Sequence, residues 1–542
     1  MTGIRNWLLL TVILLSSLTS TAGLSGAKKT NRIASDSART LQANRIVMSV
    51  NDRGCLIRSL NDDWGVKRFD SALQFFGGLA PIVFDHGPWI IGKINGAPRA
   101  AISYWGTSYM PGPVINGSPA LIVRPQDSLR YHPYMLNSRS NSSNNDFVTW
   151  PADLGAPVDP SGKPLLLGDE LIWSVFNGAD STAHPLDQGF GPISHLPVEI
   201  QQSVYAHASS TTDTSLLGNT VFMEWTFINK GTATIESCYV ALWTDIDFDD
   251  FEHNFPAVDT SLQVGYCWDG LATPEGSPYA VGYVLLHGPL VPDPSGTSFF
   301  RGRVRPGYKN LALSSFWGII SDVGPVNSFI AGPTSMSAAW NVARGYDKAG
   351  GVILDSVSKT PTRFPYSGDP VSGTGWVYNL VYTAGEEGFL MFTGPFNFAP
   401  GDTQWVMTAL VPALGSDRFE SIRVLRRDAT LLRGMSYDAI AKAMPLSVAR
   451  GQGLPISVAL FQNYPNPFNP STTIRYALPI RAQVTLSVFN TLGQQVAVLV
   501  NENQEAGYHD VRFDGSGVAS GVYFYRLRAG DYLSTRKFVI LR

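Results

Sequence analysis

The chain has 542 residues, 44% hydrophobic, 11% aromatic and only 15% charged, with 52 Gly and 36 Pro. So few charges among so many turn formers point to a β-rich extracellular protein. A formal net charge of −3 gives no electrostatic case for nucleic acid, and three cysteines are too few, and odd in number, for a disulfide framework.

In chain order, residues 1–22 read as a secretory signal peptide. Arg5 supplies the positive charge, Trp7 to Leu18 the apolar run, and Ser20-Thr21-Ala22 the small residues for cleavage. The run falls short of the ~20 apolar residues a membrane span needs. Residues 23–44 are polar, with Lys28, Lys29, Arg32 and Arg39, and are expected to be a flexible lead-in.

Residues 45–450 form a β-rich passenger, long enough for two packed β-domains. Val221 to Ile228 reads as a strand, Asn229-Lys230-Gly231 as a turn and Ile235 to Thr244 as the return strand, a pair expected to be a hairpin. Val281 to Leu286, Leu311 to Ile320 and Trp405 to Val411 are further strands. Helical signal is confined to one stretch. Ser416-Asp417 caps a helix with Phe419, Ile422, Val424 and Leu425 as a rough apolar face, and a short second helix starts at Ser436. Cys55, Cys238 and Cys267 allow one bridge, Cys238–Cys267, or three buried free thiols.

Two passenger features are candidates for chemistry. Asp245, Asp247 and Asp249 share one face of an extended chain ~7 Å apart, with Asp250 beside them. Such carboxylates repel, and a hard cation relieves this, so they are a candidate calcium site. They do not form an EF-hand loop: Asp250 stands where its glycine belongs and Pro256 where its glutamate belongs. The alternatives are a solvated acidic loop or a hydrolytic pair, which needs two carboxyls ~5–10 Å apart in space. Trp89, Trp105 and Trp150 lie in turn-rich stretches and are candidates for stacking on sugar rings; ordinary core packing is the alternative. No zinc-protease, nucleophile-elbow, Walker A or dinucleotide motif occurs, and the eight histidines are scattered. No catalytic residue is assigned.

A linker, residues 451–458, leads into residues 459–542. Pro465, Pro467 and Pro470, interleaved with Asn463, Asn466 and Asn469, exclude a helix. Ile474, Tyr476 and Leu478, then Val484, Leu486 and Val488, alternate with polar residues as half-buried strands do. Six or seven short strands at this spacing suggest a small Ig-like β-sandwich.

The stretches Asn463-Tyr464-Pro465-Asn466-Pro467-Phe468-Asn469-Pro470, Val488-Phe489-Asn490-Thr491-Leu492-Gly493 and Ser520-Gly521-Val522-Tyr523, with the closing Arg536 to Arg542, closely resemble the type A C-terminal sorting domain of the type IX secretion system. The resemblance implies export through the periplasm and recognition by the type IX secretion machinery. It also implies removal of the domain by the machinery's peptidase, and release or attachment at the outer-membrane surface. It assigns the sorting signal to the last strand, Lys537, Phe538, Val539, Ile540 and Leu541. Passenger phrases such as Trp150-Pro151-Ala152-Asp153 and Gly373-Thr374-Gly375-Trp376 resemble uncharacterised secreted passengers, which implies no activity. The expectation is an all-β protein: a multidomain β-sandwich passenger followed by an Ig-like sandwich. Its expected role is structural or adhesive, with polysaccharide binding or degradation as the alternative.

Overall fold

The computed structural model describes residues 38–54, 73–75, 81–83, 85–103, 107–181, 195–209, 215–246, 254–270, 279–320, 333, 335–378, 387–442, 444–445, 458–463, 466–530 and 532–541. Strands dominate, all-β as the turn-rich composition implies. The chain divides into two compact units, Met1–Leu446 and Ser447–Arg542. The signal peptide and the 451–457 part of the linker lie outside the described residues.

The first unit is built on two antiparallel sheets. A nine-stranded sheet runs in the order Tyr134–Asn137, Glu170–Asn177, Val198–Ala206, Val221–Asn229, Thr403–Leu414, Tyr279–His287, Val264–Asp269, Asn254–Asp259, with Met110–Pro111 off this path. A five-stranded sheet runs Leu313–Ile320, Glu387–Phe398, Ile235–Asp245, Asp85–Ile94, Ala97–Ala101. They pack face to face. A Cβ on Gly265 of the first would sit 2.8 Å from the Phe389 ring of the second, and Tyr283 meets Phe389 edge-on with ring centroids 6.2 Å apart. The central strands are buried on both faces. They therefore read as continuous apolar runs rather than alternating ones.

Helices cover both outer faces. Arg418–Gly434 lays Ile422, Leu425, Ala429 and Leu432 on the nine-stranded sheet. Its spacing of three and four is that of an amphipathic helix, and Asp417 and Ser436 cap this helix and the next as the sequence predicts. A third helix, Met336–Ala343, went unread in the sequence. Its signals are a cap at Ser335 and apolar residues at Met336, Ala339, Trp340 and Ala343, compressed into two turns. It closes a second core against Trp89, Trp243, Trp317 and Phe392 of the five-stranded sheet.

The expected hairpin is absent. Val221–Asn229 and Ile235–Asp245 form as strands, but one belongs to the nine-stranded sheet and the other to the five-stranded. The link between them is an arch that crosses from sheet to sheet. A second arch, from Glu387–Phe398 to Thr403–Leu414, lies beside it. Asn229 joins the two: its amide donates to Ala233 O at 3.0 Å and Phe398 O at 2.8 Å, and its Oδ1 accepts from Gly231 N at 2.9 Å. Strand length and a short polar link are the same for a hairpin and an arch, so local sequence does not separate them.

One further expectation is corrected. Ala38–Leu41, placed in the flexible lead-in, is a strand paired with Ile46–Asn51, because Leu41 is an apolar residue with a core to enter. Of the two readings of the cysteines, buried free thiols hold for Cys238 and Cys267, which are unbridged; Cys55 lies outside the described residues. Cys238 and Cys267 lie in different sheets, and burial pushes the Cys238 thiol pKa up.

The second unit has a three-stranded sheet, Ala459–Leu460, Ser471–Leu478 and Gly507–Asp514, and a four-stranded one, Gln495–Gln504, Ala482–Phe489, Gly521–Ala529 and Tyr532–Ile540. Ile474, Tyr476, Leu478, Val484, Leu486 and Val488, the alternating residues, are all buried in its core. Phe538 sits among Phe468, Phe513, Tyr523 and Tyr525, with centroids 5.3–5.8 Å away.

Candidate functional site

The acidic cluster of the passenger is only partly described. Asp245 ends its strand, 1% exposed, in register with Asp85; Asp247, Asp249 and Asp250 lie outside the described residues. Among the described residues no three of His, Cys, Asp and Glu gather as metal ligands would. Next to Asp245, Thr244 pairs with His86, whose Nδ1 lies 2.5 Å from the Tyr283 hydroxyl. Burial lowers the His86 pKa to about 3 and raises that of Tyr283.

The tryptophans face inward. Trp89 is fully buried, its indole N–H donating to Ser103 O at 2.5 Å. Trp150 donates to Pro157 O at 2.8 Å and packs on Trp173 and Tyr134. Neither is a stacking platform for sugars, because each is needed to fill a core beside its turn. Trp105 lies outside the described residues. Of the described tryptophans only Trp376 is as little as half-buried.

A polar arrangement forms instead on the outer face of the nine-stranded sheet. Trp225 and Val406 face the other sheet beside Val240 and Met391, so alternation turns Glu224 outward. Glu224 is nonetheless 0% exposed. Its Oε1 accepts from Tyr205 OH at 3.0 Å, and its Oε2 accepts from Trp405 Nε1 at 3.1 Å and Tyr437 OH at 3.4 Å. Arg301 Nε lies 3.5 Å from the same oxygen, and Arg301 also donates to Thr226 Oγ1 at 2.9 Å. Arg301 is the tip of a hairpin, Leu290–Phe300 and Arg303–Asn310, which folds over this face. Glu199, on the same face, accepts from Val114 N at 3.2 Å and Gln201 Nε2 at 3.2 Å, with Lys230 at 3.6 Å. A lone glutamate inside the apolar run from Val221 to Ile228 was the sequence signal for this network. A charge buried there needs partners, and only the fold supplies them.

In the C-terminal unit the strand Tyr532–Ile540 stands at a sheet edge, paired on one side with Gly521–Ala529. Lys537 and Leu541 are exposed, Val539 is half-buried, and Phe538 and Ile540 are buried. Its other side is held by the Asn-Pro-Phe motif. Phe468 N donates to Val539 O at 3.1 Å, Leu541 N donates to Phe468 O at 3.0 Å, and Val539 N donates to Asn466 Oδ1 at 2.9 Å. Gln462 adds a bond to Lys537 O at 2.8 Å. The two sequence motifs, far apart in the chain, thus form one element that covers an otherwise open strand edge.

Residues 462–541 match the secretion system C-terminal sorting domain. The chain is a type IX secretion system sorting-domain-containing protein. Such a domain carries its protein to the cell surface or the medium through the type IX machinery. No helix among the described residues is long and apolar enough to cross a membrane.

No curated protein matches this sorting-domain protein. A polysaccharide lyase aligns at 10% identity over 84% of this chain and 47% of its own, with a TM-score of 0.16. PorZ, a surface component of the type IX secretion system of Porphyromonas gingivalis, aligns at 10% identity over 71% and 46%, with a TM-score of 0.12. The chain spans about half the length of these structures, and at such scores neither bears on its fold or activity.

Proposed function

We propose that the passenger is a non-catalytic structural or adhesive protein of the cell surface, freed from its sorting domain by the peptidase of the machinery. The observation that carries this reading is the use of the buried carboxylates. Glu224 and Glu199 hold the hairpin and the crossing segments onto the nine-stranded sheet, whereas a hydrolase needs carboxyls free to meet substrate.

Two measurements test it. The purified secreted protein is expected to be retained on cell envelopes and to release no sugar from polysaccharides; release of reducing ends or unsaturated products would replace the reading with an enzymatic one. Deleting Arg536–Arg542 removes Phe538 and Ile540 from the sorting-domain core and exposes the edge beside Phe468. The truncated protein is expected to accumulate in the periplasm, and undiminished surface delivery would show that the last strand is not the signal.

A further inference from the structure

The hairpin over the nine-stranded sheet is pinned at both ends. At its tip Arg301 engages Glu224 and Thr226. At its base Gln404 bonds the Leu290 backbone twice, accepting from the N–H at 2.7 Å and donating to the carbonyl at 3.1 Å. Between these anchors the pairing slips: Pro292 faces Tyr308, but Thr297 faces Pro306. Residues 293–296 bulge out opposite Gly307, whose φ of 79° suits glycine. A bulge bends a strand and re-aims its side chains.

The bend leaves a cleft of about 770 Å³ between the hairpin and the arch that links Phe398 to Thr403. This lies in the range of ligand sites, roughly 300–1,000 Å³. Phe300 and Tyr308 offer aromatic surface over the buried Phe396, and Asn397 and Thr403 offer polar groups. Tyr308 is 42% exposed. Arg305 lines the same cleft with its guanidinium 5.9 Å from the Phe300 ring centre and no carboxylate partner among the described residues. The nearby acids are engaged: Asp293 pairs with Lys309 at 3.4 Å, and Asp402 accepts from Ala399 N at 3.0 Å.

We propose that this cleft binds an acidic polysaccharide. The aromatic rings meet the apolar faces of the sugars, the amide and hydroxyl groups meet their hydroxyls, and Arg305 takes a uronate carboxylate through two parallel N–H donors. A neutral glycan would leave the guanidinium without a partner. The inference rests on the adhesive reading and names its ligand class.

The test is calorimetric titration of the full secreted protein with a short oligogalacturonate and with its methyl ester. The acid is expected to bind at least tenfold more tightly than the ester. Arg305→Gln should remove that preference, and Tyr308→Ala should weaken both ligands. Arg303→Gln, on the same strand but outside the cleft, should change neither. Both Arg305 and Tyr308 are exposed, so the variants should unfold at the wild-type temperature. No binding of the acid, or acid binding unaffected by Arg305→Gln and Tyr308→Ala, overturns the cleft. No binding of the acid with envelope retention intact overturns the cleft and leaves the adhesive reading standing. Oligogalacturonate binding without envelope retention overturns that reading and keeps the cleft.

Discussion

Asn229 shows how much one side chain decides. It is fully buried, and its amide and carbonyl oxygen are both bonded within the two arches. Asn229→Ala leaves the buried Phe398 carbonyl without its partner, and with it the half-buried Ala233 carbonyl and Gly231 N–H. At ~1–3 kcal/mol for a stranded buried group, and less for the two that water can reach, the passenger should lose about 1–3 kcal/mol. Urea unfolding measures this as a lower midpoint at unchanged slope. A loss of only a few tenths of a kcal/mol would mean that the arches hold without the clamp. Glu224 is a comparable case with a charge. Its four partners, two tyrosines, a tryptophan and an arginine, come from four different elements, so its identity in the sequence says that it must be paired but not with what.

At the scale of elements, local signals succeed where the structure is local. The helix Arg418–Gly434 begins where Asp417 accepts from Phe419 N and Glu420 N, both at 2.9 Å. Bonding to these N–H groups, Glu420 first, lowers the Asp417 carboxyl pKa despite some desolvation. Asp417→Ala should lower the unfolding temperature of the passenger, while Asp417→Asn should recover most of it. Full stability in the alanine variant would show the cap to be dispensable. The strands around Asn229 are the contrasting case. Both form where expected, yet they pair with Thr403–Leu414 and Glu387–Phe398, more than 140 residues away, instead of with each other.

Across the whole molecule, burial of ionisable groups makes stability depend on pH. His86 is lowered to about 3 by desolvation, and His287 to about 4 by desolvation and then by the charge of Arg433. The unfolded chain protonates both imidazoles below about pH 6.5, while the fold keeps them neutral. The stability they contribute is therefore full above pH 6.5 and falls as pH drops toward 4. The slope approaches about 1.4 kcal/mol per pH unit for each imidazole. Glu170 and Asp428, raised by burial, oppose this closer to their own titration, so pH 6.5 to 5 is the window to measure. Urea unfolding there should show declining stability, with a shallower decline in His287→Gln. A flat profile in the wild type would contradict the neutral, buried state of both groups.

The sequence by itself determined the class, the destination and the elements: strands, turns, helix caps and the sorting motif are written in residues close together in the chain. Which strands pair, which sheet each joins, which tryptophans face the core and which residues line the cleft with Arg305 were decided by the tertiary structure. These depend on contacts between residues far apart in sequence. A period of two or an apolar run records only that a strand is buried; what it is buried against is settled when the two sheets close on one core.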